Sequence, residues 1–195
     1  MKFTKRQIEI IEASKDLTGL KGIQNLTIKN LAKKMSFSEP ALYRHFKNKT
    51  EILKSLLVFH KELLSSGIYK IINSDKTALE KIRLIILFQF DHLQKNPDII
   101  MVVFSETSFQ YNNILSNLVA KVMKQRHKKL MRIIEDGQKN NIIRQDISSN
   151  QIATIIMGSM RLTVLKWKLN NFESNLSKEG KELWETIEKL IKKWK

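Results

Sequence analysis

The chain has no cysteine, so disulfides and any thiolate-based metal or catalytic site are excluded. A reducing cytoplasm is the natural setting for such a protein. Only two prolines and six glycines occur in 195 residues. Long segments repeat apolar residues with the helical period and none alternates every second residue, so the expected fold class is all-α. Long hydrophobic runs are missing too. The most apolar stretch, IRLIILF at residues 82–88, is about a third of the length that spans a bilayer. The N-terminal KFTKRQIEIIEASKD alternates charge with isoleucine as an amphipathic helix does, without the apolar core of a signal peptide. The expectation is a soluble, cytoplasmic protein that does not engage a membrane.

Acidic residues are scarce: 19 Asp and Glu stand against 35 Lys and Arg, a formal charge of +16. Such a balance suits a polyanionic partner, although Lys, Ile and Asn are abundant throughout, as in proteins from AT-rich genomes. Location says more than the total. Residues 1–54 hold twelve basic residues against five acidic ones, leaving twenty-three against fourteen for residues 55–195. Per residue the first segment is about twice as basic, as phosphate neutralisation on DNA requires.

Signs of catalysis are absent. There is no Gly-rich phosphate loop, nucleophile elbow or paired-carboxylate arrangement. His45, His60, His92 and His127 have no second ligand three or four residues away on the same helical face, so no metal, cofactor or enzymatic activity is expected. His60 beside Leu64 and His92 beside Phe88 read either as satisfied core histidines or as groups pointing into a cavity.

What is present is a pair of short helices at residues 27–46. Thr27 caps TIKNLAKKM, whose Ile28, Leu31, Ala32 and Met35 share one helical face. Ser36 and Phe37 separate it from SEPALYRHFKNK at residues 38–49. Ser38 is a good N-cap, its hydroxyl placed to accept from the N–H near Ala41, and Pro40 is tolerated in a first turn. Ala41, Leu42 and Phe46 anchor about two helical turns, leaving Glu39, Pro40, Tyr43, Arg44 and His45 to face outward. Asn48 and Glu51 then make a capping-box-like start for the next helix. Lys49 in its first turn has the wrong sign for the helix dipole, unless an anion sits there. Two short helices joined by a tight turn form a helix-turn-helix. Upstream, Ile8, Ile11 and Leu17 line one side of a helix stopping around Gly19 to Gly22, so three helices share a small core.

These residues resemble the TetR/AcrR family of bacterial transcriptional regulators. The resemblance runs through IIEAS at residues 10–14, Gly22, Thr27, Leu31 and Ala32, Ser38, Leu42 and Tyr43, His45 and Phe46, Lys49 and Ile52. Three positions depart from it: Ser36 stands for a turn glycine, Thr18 for an apolar or aromatic residue, and Leu26 for a threonine. The resemblance implies phosphate contacts from Thr27, Tyr43 and Lys49, with Ser38, Ala41 and His45 beside them. It implies base-edge contacts from Glu39, Pro40 and Arg44. It also implies a homodimer on a palindromic operator, DNA-binding at residues 1–54 and effector binding and dimerisation at residues 55–195.

From Asn48 a helical stripe continues to about Asn73, so one helix spans both parts and couples them. Further helices are expected at about 76–94, at 97–107 with Asn96 as N-cap, and at 112–140. Two more follow at 149–169 after Ser148 and at 177–194 from Ser177. In the resembled family the last two pair across a two-fold axis. Here Ile152, Ile155, Ile156, Met160 and Val164, with small Gly158 and Ser159, line one of them; Leu183, Ile187, Leu190, Ile191 and Trp194 line the other. The other reading is that these stripes complete the protomer's own core. An effector site would draw on Phe88, Phe90, His92, Met101, Phe104, Phe109, Met123, Met157, Met160 and Trp167, for a small apolar or amphipathic ligand. The basic run KVMKQRHKKLMR at residues 121–132 reads as a solvated helix face or as a surface for nucleic acid or an acidic ligand. A regulator of this fold answering to DNA occupancy or a protein partner, as nucleoid-occlusion proteins do, is the rival to ligand control.

Overall fold

A computed structural model describes residues 3–103, 109 and 112–193. Among them the architecture is all-α, with nine helices and no strand. They are α1 (Lys5–Lys21), α2 (Ile28–Met35), α3 (Glu39–Tyr43), α4 (Lys49–Ile72), α5 (Ala78–Lys95), α6 (Asp98–Val103), α7 (Asn113–Lys139), α8 (Ser149–Leu169) and α9 (Leu176–Ile191). The chain packs as two compact units, Met1–Leu63 with Asn96–Lys121, and Leu64–Lys95 with Val122–Lys195.

The first unit is built on α1 to α3 and the start of α4. Thr4 and Gln7 form a reciprocal capping box on α1, and Gly22 at φ 79° ends that helix where a side chain would be strained. Ile10 and Ile11 are fully buried with Leu31, Leu42, Phe46, Ile52 and Leu56. Burial of each such side chain is worth about 1.5 to 3 kcal/mol. Thr18 does not spoil this core, because its hydroxyl donates to the carbonyls of Ser14 (3.0 Å) and Lys15 (2.7 Å). A buried hydroxyl satisfied within its own helix costs little where an apolar residue was expected.

Ser36 caps α2 in the left-handed region, φ 55° and ψ 39°. A residue with a Cβ is strained there by roughly 1 kcal/mol. Ser36→Gly is therefore expected to raise the thermal midpoint by about 2 to 4 °C. A differential scanning calorimetry trace with an unchanged or lower midpoint would remove the strain.

The second unit packs α5 against α9, with Phe90 fully buried. A Cβ on Gly180 of α9 would lie 2.2 Å from the Phe90 ring, so only glycine permits that approach. The start of α9 differs from expectation. Asn175, not Ser177, is its N-cap, accepting from the Lys178 N–H at 2.9 Å, while the Ser177 N–H donates to Gln94 Oε1 at 2.7 Å. The end of α9 is tied to the loop after α7 by Arg144 N–H to Ile191 O (2.9 Å) and Lys193 N–H to Ile142 O (3.1 Å).

Candidate nucleic-acid interface

The helix-turn-helix residues divide cleanly by exposure. Leu31, Ala32, Leu42 and Phe46 are buried, whereas Thr27, Ser38, Glu39, Pro40, Tyr43 and Arg44 are exposed. Ala41 and His45 are half-buried. The core residues thus fix α2 and α3, and the polar ones are left for a partner. Thr27 Oγ1 accepts from the Asn30 N–H at 3.1 Å, capping α2, and its own O–H is left to donate. The side chains of Tyr43 and Arg44 form no hydrogen bond or ion pair among the described residues, and Tyr43 is 50% exposed.

Two expectations need correction. α3 is a five-residue helix, Glu39–Tyr43, not two full turns; Arg44 keeps helical angles, and the His45 and Phe46 N–H groups both turn back to Leu42 O. Ser38 is the N-cap in an extended conformation, but its hydroxyl makes no capping hydrogen bond. The Ala41 N–H donates instead to the Ser38 backbone oxygen at 3.0 Å. That leaves the Ser38 side chain to solvent.

The start of α4 is built as the sequence suggests, with one shift. Asn48 Oδ1 accepts from the Glu51 N–H (2.9 Å), and Glu51 Oε2 accepts from Lys47 N–H (2.6 Å), one residue further back than a standard capping box. Lys49 is half-buried, and Nζ donates to Ile23 O at 3.3 Å. Burial pushes its pKa below the ordinary lysine value. An ammonium short of solvation at the first turn of α4, with donors to spare, is a natural counter-charge for a phosphate.

Positioning residues on α1 escape sequence reasoning. The Arg6 guanidinium sits 5.1 Å from the Phe37 ring centroid, holding the turn between α2 and α3. Gln7 Nε2 donates to His45 O at 3.2 Å. Both contacts join residues more than thirty positions apart, for which local spacing gives no signal.

The expected effector residues fall in both units. Met101 belongs to the first unit; Phe88, His92, Met123, Met157, Met160 and Trp167 belong to the second. Phe88 and His92 stack at 6.5 Å, and Met157 and Met160 are half-buried. Trp167 is held by its own helix end, donating Nε1–H to Ser174 O (2.7 Å) and meeting Phe172 edge-on. Phe90 and Phe109 are fully buried, Met123 is exposed, and Phe104 lies outside the described residues. The dimer stripe also divides. Ile152, Ile156 and Val164 turn into the protomer's own core, while Ile155 is 48% exposed together with Leu162 (58%) and Leu169 (73%). Of the last helix, Ile187 and Ile191 are buried and Leu190 is exposed; Trp194 lies outside the described residues.

Among the described residues no group of three or more His, Asp or Glu could hold a metal ion, and no helix is long and apolar enough to cross a membrane.

Relatives match this arrangement along the chain. The family model for bacterial regulatory proteins of the tetR family matches residues 10–56, and one for the tetracyclin repressor-like C-terminal domain matches residues 79–170. The nucleoid occlusion factor SlmA of Vibrio vulnificus (strain YJ016) is 23% identical over 192 residues, 98% of each chain. SlmA of Alteromonas mediterranea is 29% identical over 136 residues, 70% of each. Among solved structures, the transcriptional regulator FadR from Bacillus subtilis in complex with stearoyl-CoA has a TM-score of 0.79 at 24% identity, covering 92% of this chain and 96% of that one. The ketosteroid transcriptional regulator KstR2 of Mycobacterium tuberculosis has a TM-score of 0.82 at 16% identity, covering 99% and 98%. At those identities the structural likeness speaks for the fold. With a family model on the helix-turn-helix and another on the helices beyond it, the chain is a DNA-binding regulator and not an enzyme, and it belongs to the TetR family of bacterial regulatory proteins.

Proposed function

We propose that the protein is a cytoplasmic, homodimeric repressor that holds a palindromic operator and releases it when a small amphipathic ligand enters the C-terminal helices. The observation that supports this most is the exposed strip of Ser38, Glu39, Pro40, Tyr43 and Arg44, held outward by buried Leu42 and Phe46. Residues 1–54 act as the DNA-binding part and residues 55–195 as the effector and dimerisation part. Tyr43, Lys49 and Thr27 bind phosphates, with Ser38, Ala41 and His45 beside the backbone. Glu39, Pro40 and Arg44 meet base edges, where an arginine pairs bidentately with guanine.

Dimerisation runs through α8 and α9. Ile155, Leu162 and Leu169 lie seven residues apart on α8, a heptad strip facing solvent in the protomer, with Gly158 between them and nothing within 4 Å of its Cβ position. A seven-residue apolar repeat is what a partner helix packs against. Release follows from linkage: a ligand that fits only the arrangement with misplaced recognition helices weakens DNA affinity by its differential affinity for the two states.

Arg44→Ala is expected to relax preference at one base pair in each half-site by about 1 to 3 kcal/mol while sparing non-specific binding. Competition between matched and mismatched duplexes measures this. An equal loss on every duplex would assign Arg44 to the phosphate backbone.

A second reading is control by DNA occupancy or a protein partner, supported by likeness to nucleoid occlusion factors over almost the whole chain. Duplex affinity unmoved by any bound amphiphile would favour it.

A further inference from the structure

We propose that Arg126 on α7 is the counter-charge of an anionic-headed amphiphile, a carboxylate or phosphate monoester on an apolar body, bound in the second unit. The proposal rests on the ligand-released reading above and names the chemistry of that ligand.

Within residues 121–132 the basic side chains are not alike. Lys121, Lys124, Lys128, Lys129 and Arg132 are exposed, as a solvated face requires. Arg126 is instead half-buried. It falls four residues after half-buried Val122 and four before buried Leu130, on the line that continues through buried Ile133 and Gly137. One face of the helix is thus apolar except for a guanidinium at its middle. Burial alone pushes the pKa of Arg126 below the ordinary arginine value. Its guanidinium forms no hydrogen bond or ion pair among the described residues.

Neither α7 nor α8 places a carboxylate beside Arg126. α7 has no acidic residue before Glu135, whose carboxylate accepts from Ser149 Oγ at 3.1 Å, and α8 has no Asp or Glu at all. The contact between His127 Nε2 and Thr154 Oγ1 (3.2 Å), with that between Glu135 and Ser149, sets α7 and α8 antiparallel. Arg126 therefore lies level with Ile155 and the turn carrying half-buried Met157. A desolvated arginine without a partner is costly. Its planar fork fits a carboxylate or phosphate through two parallel hydrogen bonds, and apolar neighbours suit the rest of an amphiphile.

The test uses the full chain, titrated calorimetrically with dodecanoate, dodecyl phosphate and dodecanol below their micelle concentrations, for wild type and Arg126→Met. Wild type is expected to bind at least one anion tenfold or more tighter than the alcohol; which anion wins tells a free carboxylate from a phosphate head. In R126M that preference should vanish, while the ligand-free variant melts at the same temperature or higher because an unpaired, half-buried charge has gone. Anion preference surviving in R126M, wild-type binding indifferent to charge, or an R126M midpoint several degrees lower would each overturn the assignment to Arg126. Indifference to charge with operator release intact leaves the ligand reading standing. No binding of any probe, with no operator release, overturns both.

Discussion

Leu162→Asp is expected to leave a folded monomer that no longer holds an operator at concentrations where wild type saturates it. Leu162 is 58% exposed in the protomer, so its replacement disturbs no buried contact there and the thermal transition should stay cooperative. Across a two-fold axis the same residue is lost twice. Losing two buried leucines at about 1.5 to 3 kcal/mol each weakens dimerisation by roughly 3 to 6 kcal/mol before any charge penalty. That is about two to four orders of magnitude in the dimer dissociation constant. Sedimentation velocity gives the mass and fluorescence anisotropy the duplex affinity. A variant that sediments as a dimer would move the interface off the Ile155, Leu162, Leu169 strip.

The second large effect concerns Lys49 and Tyr43. Each residue occurs twice in the proposed dimer, so Lys49→Met is expected to remove two cationic phosphate contacts. The slope of log affinity against log salt should flatten by about 1.8, at about 0.9 per phosphate. Tyr43→Phe removes two neutral hydrogen bonds at about 0.5 to 1.5 kcal/mol each, lowering affinity roughly fivefold to a hundredfold with the slope unchanged. The lowered pKa of Lys49 adds a pH signature. Deprotonation comes earlier in free protein than for an ordinary lysine, and a bound phosphate favours the charged form, so affinity should fall as pH rises through that lowered value. In K49M this part of the pH dependence disappears. Lys49 also tethers α4 to Ile23 O, so the melting curve of each variant must accompany its binding curve. An unchanged slope in the Lys49 variant with intact folding would make the tether its whole role.

Much of the DNA-binding unit was legible because its signals are local. The Thr27 cap, the Asn48 and Glu51 pair, and the spacing of Leu31, Leu42 and Phe46 are dictated by helix chemistry within a few residues. Ser36 was legible as strain, and its backbone is left-handed. What was not legible depends on competition between neighbours or on tertiary contact. Ser38 looked like a hydroxyl cap, but in so short a helix the first turn closes on its backbone oxygen. Asn175 won the cap of α9 over Ser177, whose N–H is taken by Gln94 from α5.

The stripe on α8 shows a subtler failure. Helical periodicity identifies apolar positions without saying which of two apolar faces meets the protomer's core. Ile152, Ile156 and Val164 took that face, while Ile155 stays exposed together with Leu162 and Leu169, which the sequence stripe passed over. Arg126 was hidden for the opposite reason. A run of basic residues averages into one charged face, though the four-residue steps from Val122 and to Leu130 already marked one member as inward.

The most direct measurement is selection of bound duplexes from a random pool by the purified full chain, followed by sedimentation of the complex on the enriched sequence. The expected result is an inverted repeat with half-site centres about one helical turn apart, two protomers per site, and affinity lost when five base pairs are inserted between the half-sites. Enriched sequences without two-fold symmetry, or one protomer bound regardless of spacing, would contradict a dimeric operator reader.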